Sequence, residues 1–169
     1  LVGAAFILHN HGAEPLDLAL ASVLVALVLC DVLIADYGFS LPFYHRWQRP
    51  HEEQGLHTAT LAFLGSVIAY KLFVLPVALA AIAMLVYGDA AAALAGMWTG
   101  SGRRKRTLPR VGAMFLASAI IGWLVFGWIG MAMALVATLA ECLVTRIDDA
   151  LTIPLLAGLA GQLLVMFFL

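Results

Sequence analysis

Long apolar runs broken by short polar clusters organise this chain. After the polar stretch His9 to Pro15, the run Leu16 to Ala35 is long enough to cross a bilayer, and Asp36-Tyr37-Gly38 closes it. The next segment, Phe39 to Gly55, mixes charge and aromatics and reads as an interfacial loop. From His57 the apolar pattern continues past Lys71 and Pro76 to Tyr87, too long for one span. Two helices are therefore expected, Thr58 to Leu72 and Leu75 to Met97, with a break in the second at Gly88-Asp89. A glycine-containing basic loop, Thr99 to Arg110, precedes a span from Val111 to Trp128. Ile129-Gly130 is expected to form a tight turn, followed by spans Met131 to Val144 and Leu151 to Leu169.

Composition turns this pattern into a fold class. Hydrophobic residues make up 64% of the 169 and charged residues 11%, against about 25% charged in soluble domains, and the mean hydropathy is +1.03. The expectation is an all-α, polytopic integral membrane helix bundle of six to seven transmembrane helices. It is read as a single transmembrane domain over 1–169, lacking part of an N-terminal helix because Leu1 to Leu8 is too short to span.

Charge then sorts the loops. With six spans, loops 37–56, 99–110 and 145–150 share one face, and 72–75 and 129–130 the other. Arg46, Arg49, Arg103, Arg104, Lys105, Arg106, Arg110 and Arg146 fall on the first face and Lys71 on the second, which makes the first face cytoplasmic. The alanine-rich composition points to a bacterial inner membrane. The acids Asp36, Glu52, Glu53, Asp89, Asp148 and Asp149 lie on or near the same face, with Asp31 and Glu141 about one turn inside. Carboxylates at bilayer depth normally face a partner, a cavity or an ion.

Three constellations carry candidate chemistry. Gly88-Asp89 opens a run of small residues to Gly96, so Asp89 reads as a magnesium ligand or, alternatively, as a helix cap. The loop with Gly100 and Gly102 offers Arg103, Arg104, Lys105 and Arg106 to phosphate oxygens, although anionic lipid contact also explains such loops. Asp148 and Asp149 pair hard oxygen ligands at the start of the last span, where Asp149 is also an N-cap candidate. His45, His51 and His57 recur every six residues, which is not a ligand repeat on a helix. Cys30 and Cys142 read as packing or lipid-facing residues, and Trp47, Trp98, Trp123 and Trp128 as interface anchors.

The run Tyr87-Gly88-Asp89 to Gly96, the basic glycine loop, then Glu141 and Asp148-Asp149-Ala150-Leu151-Thr152-Ile153-Pro154 resembles the polyprenol kinase family, which includes dolichol and phytol kinases. Arg49-Pro50-His51-Glu52-Glu53 resembles that family's preceding arginine and acidic stretch, and the likeness covers residues 46–160. It implies CTP-dependent phosphoryl transfer to a membrane isoprenoid alcohol at the cytoplasmic face, with Mg2+ held by Asp89, Asp148 and Asp149. Arg103, Arg104, Lys105 and Arg106 would grip phosphates, with Arg49, Glu53 and Glu141 as further candidates. The implied partners are the lipid alcohol, a nucleoside triphosphate and the bilayer, and no nucleic acid. The chain departs from the family pattern in two places. The Lys-(Ser/Thr)-x-Glu-Gly-Ser element stands here as Arg106-Thr107-Leu108-Pro109-Arg110-Val111, and the Asn after the acidic pair is Ala150. A membrane cytidylyltransferase similar to CDP-diacylglycerol synthase is one alternative. A non-catalytic membrane protein or small transporter is the other.

Overall fold

The computed structural model describes residues 13–37, 58–100, 107–143 and 149–168, with backbone alone for 13–15, 33–37 and 143. All regular structure among the described residues is α-helical: α1 (Ala13–Tyr37), α2 (Thr58–Leu72), α3 (Leu75–Trp98), α4 (Leu108–Phe126), α5 (Trp128–Leu143) and α6 (Asp149–Phe168). The chain divides into two units, Leu1–Leu64 and Gly65–Leu169.

In the first unit α1 is a 25-residue apolar helix. Leu18, Val23, Val25, Leu29 and Val32 are exposed along it, and the Ser22 hydroxyl donates to the Ala19 carbonyl at 2.8 Å. Asp31 is half-buried on this helix, and Cys30 is exposed and outside any disulfide.

The second unit is built on small residues. Pro76 sits in the first turn of α3, where its missing N–H costs nothing. The Val74 N–H before it donates to Gln162 Oε1 of α6 at 3.0 Å, and Phe73 lies directly on Gly158. At Gly65, in the second half of α2, a Cβ would lie 3.1 Å from the Leu151 backbone and from Pro154 Cγ of α6. Between α3 and α4, Gly88 meets Met114 and Ser118, and Gly96 meets Arg110. Glycine lets helices approach until dispersion between backbones replaces the hydrophobic drive that lipid cannot supply. Because later residues of α3 meet earlier residues of α4, these helices run antiparallel.

Two expectations are corrected here. The second apolar helix does not break at Gly88-Asp89: α3 continues unbroken to Trp98. Gly88 is there because α4 occupies the space its side chain would need, and Asp89 consequently caps no helix. Nor do Ile129-Gly130 form the turn. Gly127 does, with φ 57°, a left-handed value that a side chain disfavours. Its N–H donates to the Trp123 carbonyl at 3.0 Å and its carbonyl accepts from Met131 at 3.2 Å. Gly130 instead lies inside α5 with its backbone against Gly122 of α4. The last helix begins two residues before the expected Leu151, at Asp149.

Three of these helices, α3, α4 and α6, are long and apolar enough to cross a membrane, while α2 and Trp128–Cys142 of α5 are shorter apolar helices. Leu116, Ile120 and Leu124 of α4, Leu135 and Leu139 of α5, and Leu156, Leu159 and Leu163 of α6 all face outward. So broad an apolar exterior is costly in water and natural in lipid. Length, composition and exterior together point to a membrane-embedded protein. Trp98, 90% exposed, closes α3, and Trp128 opens α5, stacked edge-on against Phe168 at 4.9 Å.

Candidate functional site

Four antiparallel helices give the second unit two ends. One holds Phe73-Val74, the Gly127 turn and Phe168, tied together by the Val74–Gln162 hydrogen bond and the Trp128–Phe168 contact. At the other lie the end of α3 at Thr99-Gly100, the start of α4 at Thr107, the end of α5 and the start of α6. Within α3 to α6 the acidic and basic side chains are Asp89, Arg110, Glu141 and Asp149. All four lie in the half toward this second, polar end.

Helix register puts positions 89 and 149, the two of the predicted metal set that are described, at similar heights. Val77 of α3 packs beside Gly161 of α6. Asp89 follows Val77 by as many residues as Asp149 precedes Gly161, twelve in each case. On antiparallel neighbours, equal displacements lead to the same level. Asp89 is exposed on the flank of α3, one residue beyond the Gly88 that faces α4. Asp149 is half-buried in the first turn of α6, and its Oδ1 accepts the Ala150 N–H at 3.1 Å. A carboxylate there also complements the positive end of the helix dipole. The Thr152 hydroxyl donates to the Asp149 carbonyl at 3.4 Å.

Glu141 is placed differently from the others. It is 7% exposed, on the inward stripe of α5 that also carries Gly130, Ala134, Ala137 and Thr138. The neighbouring Thr138 hydroxyl returns its proton to the Ala134 carbonyl at 2.8 Å, the usual way a hydroxyl is satisfied inside an apolar helix.

Asp148, Arg103, Arg104, Lys105, Arg106, Arg49 and Glu53 lie outside the described residues, as do His45, His51, His57 and Trp47. Among the described residues no group of three or more His, Cys, Asp or Glu side chains converges as a metal cluster does. Cys142 is half-buried and, like Cys30, forms no disulfide.

Ser118 escaped the sequence reading. It is wholly buried, and its Oγ has no hydrogen-bond partner among the described residues. The Oγ lies 3.0 Å from the position a Cβ would take at Gly88. A buried hydroxyl that makes no hydrogen bond loses its solvation without compensation. Ser118→Ala is therefore expected to leave stability unchanged or raise it by about 1 kcal/mol, measured as thermal unfolding in detergent. A clear loss would mean that the hydroxyl has a partner in the membrane. The available signal was a serine four residues before a glycine in an apolar run, and it reads equally as lipid-facing.

Comparison of the chain with protein-family models, with curated proteins and with solved structures gives no match.

Proposed function

We propose that this chain is a membrane-embedded lipid-alcohol phosphotransferase, a CTP-dependent kinase of the polyprenol kinase type acting at the polar end of the second unit. In this reading six or seven spans cross a bacterial inner membrane and the basic segments face the cytoplasm. The observation that carries it is the similar height of positions 89 and 149 on neighbouring helices, with Asp148 next in sequence to Asp149.

The chemistry follows from that layout. An isoprenoid alcohol lies along the apolar exterior of α3 and α6 with its hydroxyl at the level of the two carboxylates. The nucleotide approaches from water, where Arg103, Arg104, Lys105 and Arg106 neutralise its phosphates. The alcohol oxygen forms a bond to the terminal phosphorus as the bond from that phosphorus to the bridging oxygen breaks, and a carboxylate takes the hydroxyl proton. Carboxylate oxygens are donors of the kind magnesium prefers, so Asp89, Asp148 and Asp149 fit it as ligands. Bound there, the ion supplies charge neutralisation on the phosphate oxygens. The chain's own part is to hold alcohol and phosphate in line and to limit access of competing water.

A second reading is favoured by one observation, the burial of Glu141. An acid inside a membrane bundle is by default a site of ion or proton passage, and a small transporter would use it without the loops.

Purified protein incubated with magnesium, prenols and CTP labelled either at the terminal phosphate or in the base separates these. Terminal label in the lipid is the expected result. Base label in the lipid would replace the kinase with a cytidylyltransferase. Absence of transfer for every alcohol and nucleotide tried, with binding controls, would leave the transporter reading.

A further inference from the structure

Arg110 is the only basic residue of α4, and it stands in the first turn, where the helix dipole disfavours a cation. The same turn holds no acid, and the Thr107 side chain forms no capping hydrogen bond.

The neighbouring helix nonetheless makes a seat for it. Gly96 of α3 is buried, and a Cβ there would stand 3.1 Å from Arg110 Cδ, 3.4 Å from Cγ and 3.7 Å from Nε. The aliphatic stem occupies the notch that the missing side chain leaves. The last turn of α3 is tied at this point, because Thr99 Oγ1 donates to the Ala95 carbonyl at 2.9 Å and the Thr99 N–H to the same carbonyl at 3.1 Å. An arginine at a membrane surface ordinarily reaches water by any of several rotamers. Here the stem as far as Nε is held against the Gly96 notch, at the polar end and four residues along the chain from Arg106.

A planar fork of N–H donors suits tetrahedral oxyanions, which it binds through paired hydrogen bonds. We propose that Arg110 is a phosphate-binding residue, seated by the Gly96 notch to take the oxygens of a phosphate or diphosphate group, whether that group belongs to a nucleotide or to a lipid headgroup. Its use in turnover rests on the phosphotransferase reading, whereas anion binding at this position does not.

The test uses the full chain in phosphatidylcholine nanodiscs titrated calorimetrically with inorganic pyrophosphate. A parallel arm uses nanodiscs containing phosphatidylglycerol, with the lipid retained on the protein weighed by native mass spectrometry. Arg110→Gln is expected to weaken pyrophosphate binding about tenfold or more, and Arg110→Lys to fall between, because it keeps the charge and loses the fork. Gly96→Ala should weaken binding several-fold although the arginine remains, while Lys71→Gln, on α2, should change nothing. Arg110-dependent retention of phosphatidylglycerol without pyrophosphate binding would identify a headgroup as the ligand and leave the assignment standing. Arg110-dependent pyrophosphate binding in a protein that transfers no label from CTP would sink the kinase reading alone. Arg110→Gln binding both anions like the parent chain, or a parent chain that binds neither, overturns the proposal, and a fall in thermal midpoint without a change in affinity assigns Arg110 to structure only.

Discussion

Replacing Gly122 by valine is expected to lower stability by about 3 kcal/mol, enough to move the thermal midpoint in detergent by on the order of 10 °C for a chain of this size. The cause is backbone, not side chain. A Cβ on Gly122 falls onto the carbonyl of Gly130, and one on Gly130 falls onto the carbonyl and Cα of Gly122. Met84 Cε of α3 closes the same space, 2.8 Å from where a Cβ on Gly122 would stand. Flexible side chains can step aside for a methyl group, but two helix backbones linked through the single residue Gly127 cannot separate at one point without opening the α4–α5 hairpin. Gly130→Val should therefore cost as much, and the double variant little more, since one opening serves both. Gly112, in the same helix, is the control. A Cβ there meets nothing within 4 Å, so Gly112→Ala should be neutral or stabilising by up to about 1 kcal/mol through helix propensity. Equal losses at Gly112 and Gly122 would show that the hairpin contact is not what holds these helices together.

Asp89→Asn should reduce transfer of the terminal phosphate of CTP by about a thousandfold or more in kcat, with the thermal midpoint unchanged. The two halves of that expectation have separate reasons. Asparagine keeps the shape of aspartate and removes the charge that a magnesium–phosphate group needs, so chemistry suffers. Asp89 is exposed on α3 and caps no helix, so folding does not. Asp149→Asn should lose activity as well, but with a small change in stability, because the Asp149 carboxylate also accepts the Ala150 N–H at the start of α6. Unimpaired turnover in Asp89→Asn would remove Asp89 from the site whatever reaction the protein catalyses.

Much of the helical layout was legible from local features. Phe73-Val74-Leu75-Pro76 announces a stop and a restart, because proline fits the first turn of a helix without losing a hydrogen bond, and α2 and α3 end and begin there as expected. The glycines were harder to read, and for one reason. Gly88, Gly122, Gly127 and Gly130 all interrupt apolar runs and look alike in sequence, yet Gly127 turns the chain through a positive φ while the other three sit within helices and admit a neighbour. A local pattern registers only that a side chain is missing. Whether the vacancy serves the backbone's own conformation or another helix depends on what lies beside it.

The candidate site divides along the same line. Gathering of charge at one end was readable from the order of spans and loops, since an apolar run must cross the bilayer before the chain can present charge again. The order of residues thus determined an all-helical, membrane-suited chain in which Asp89, Glu141, Asp149 and Arg110 lie toward one end of the second unit. Tertiary structure alone decided that positions 89 and 149 stand at similar heights, that Glu141 faces inward, that Ser118 meets Gly88 and that Arg110 lies in the Gly96 notch. Each of those depends on the register and rotation of one helix against another. Register is set by which small residues allow close approach, a property of pairs of helices that no single stretch of sequence contains.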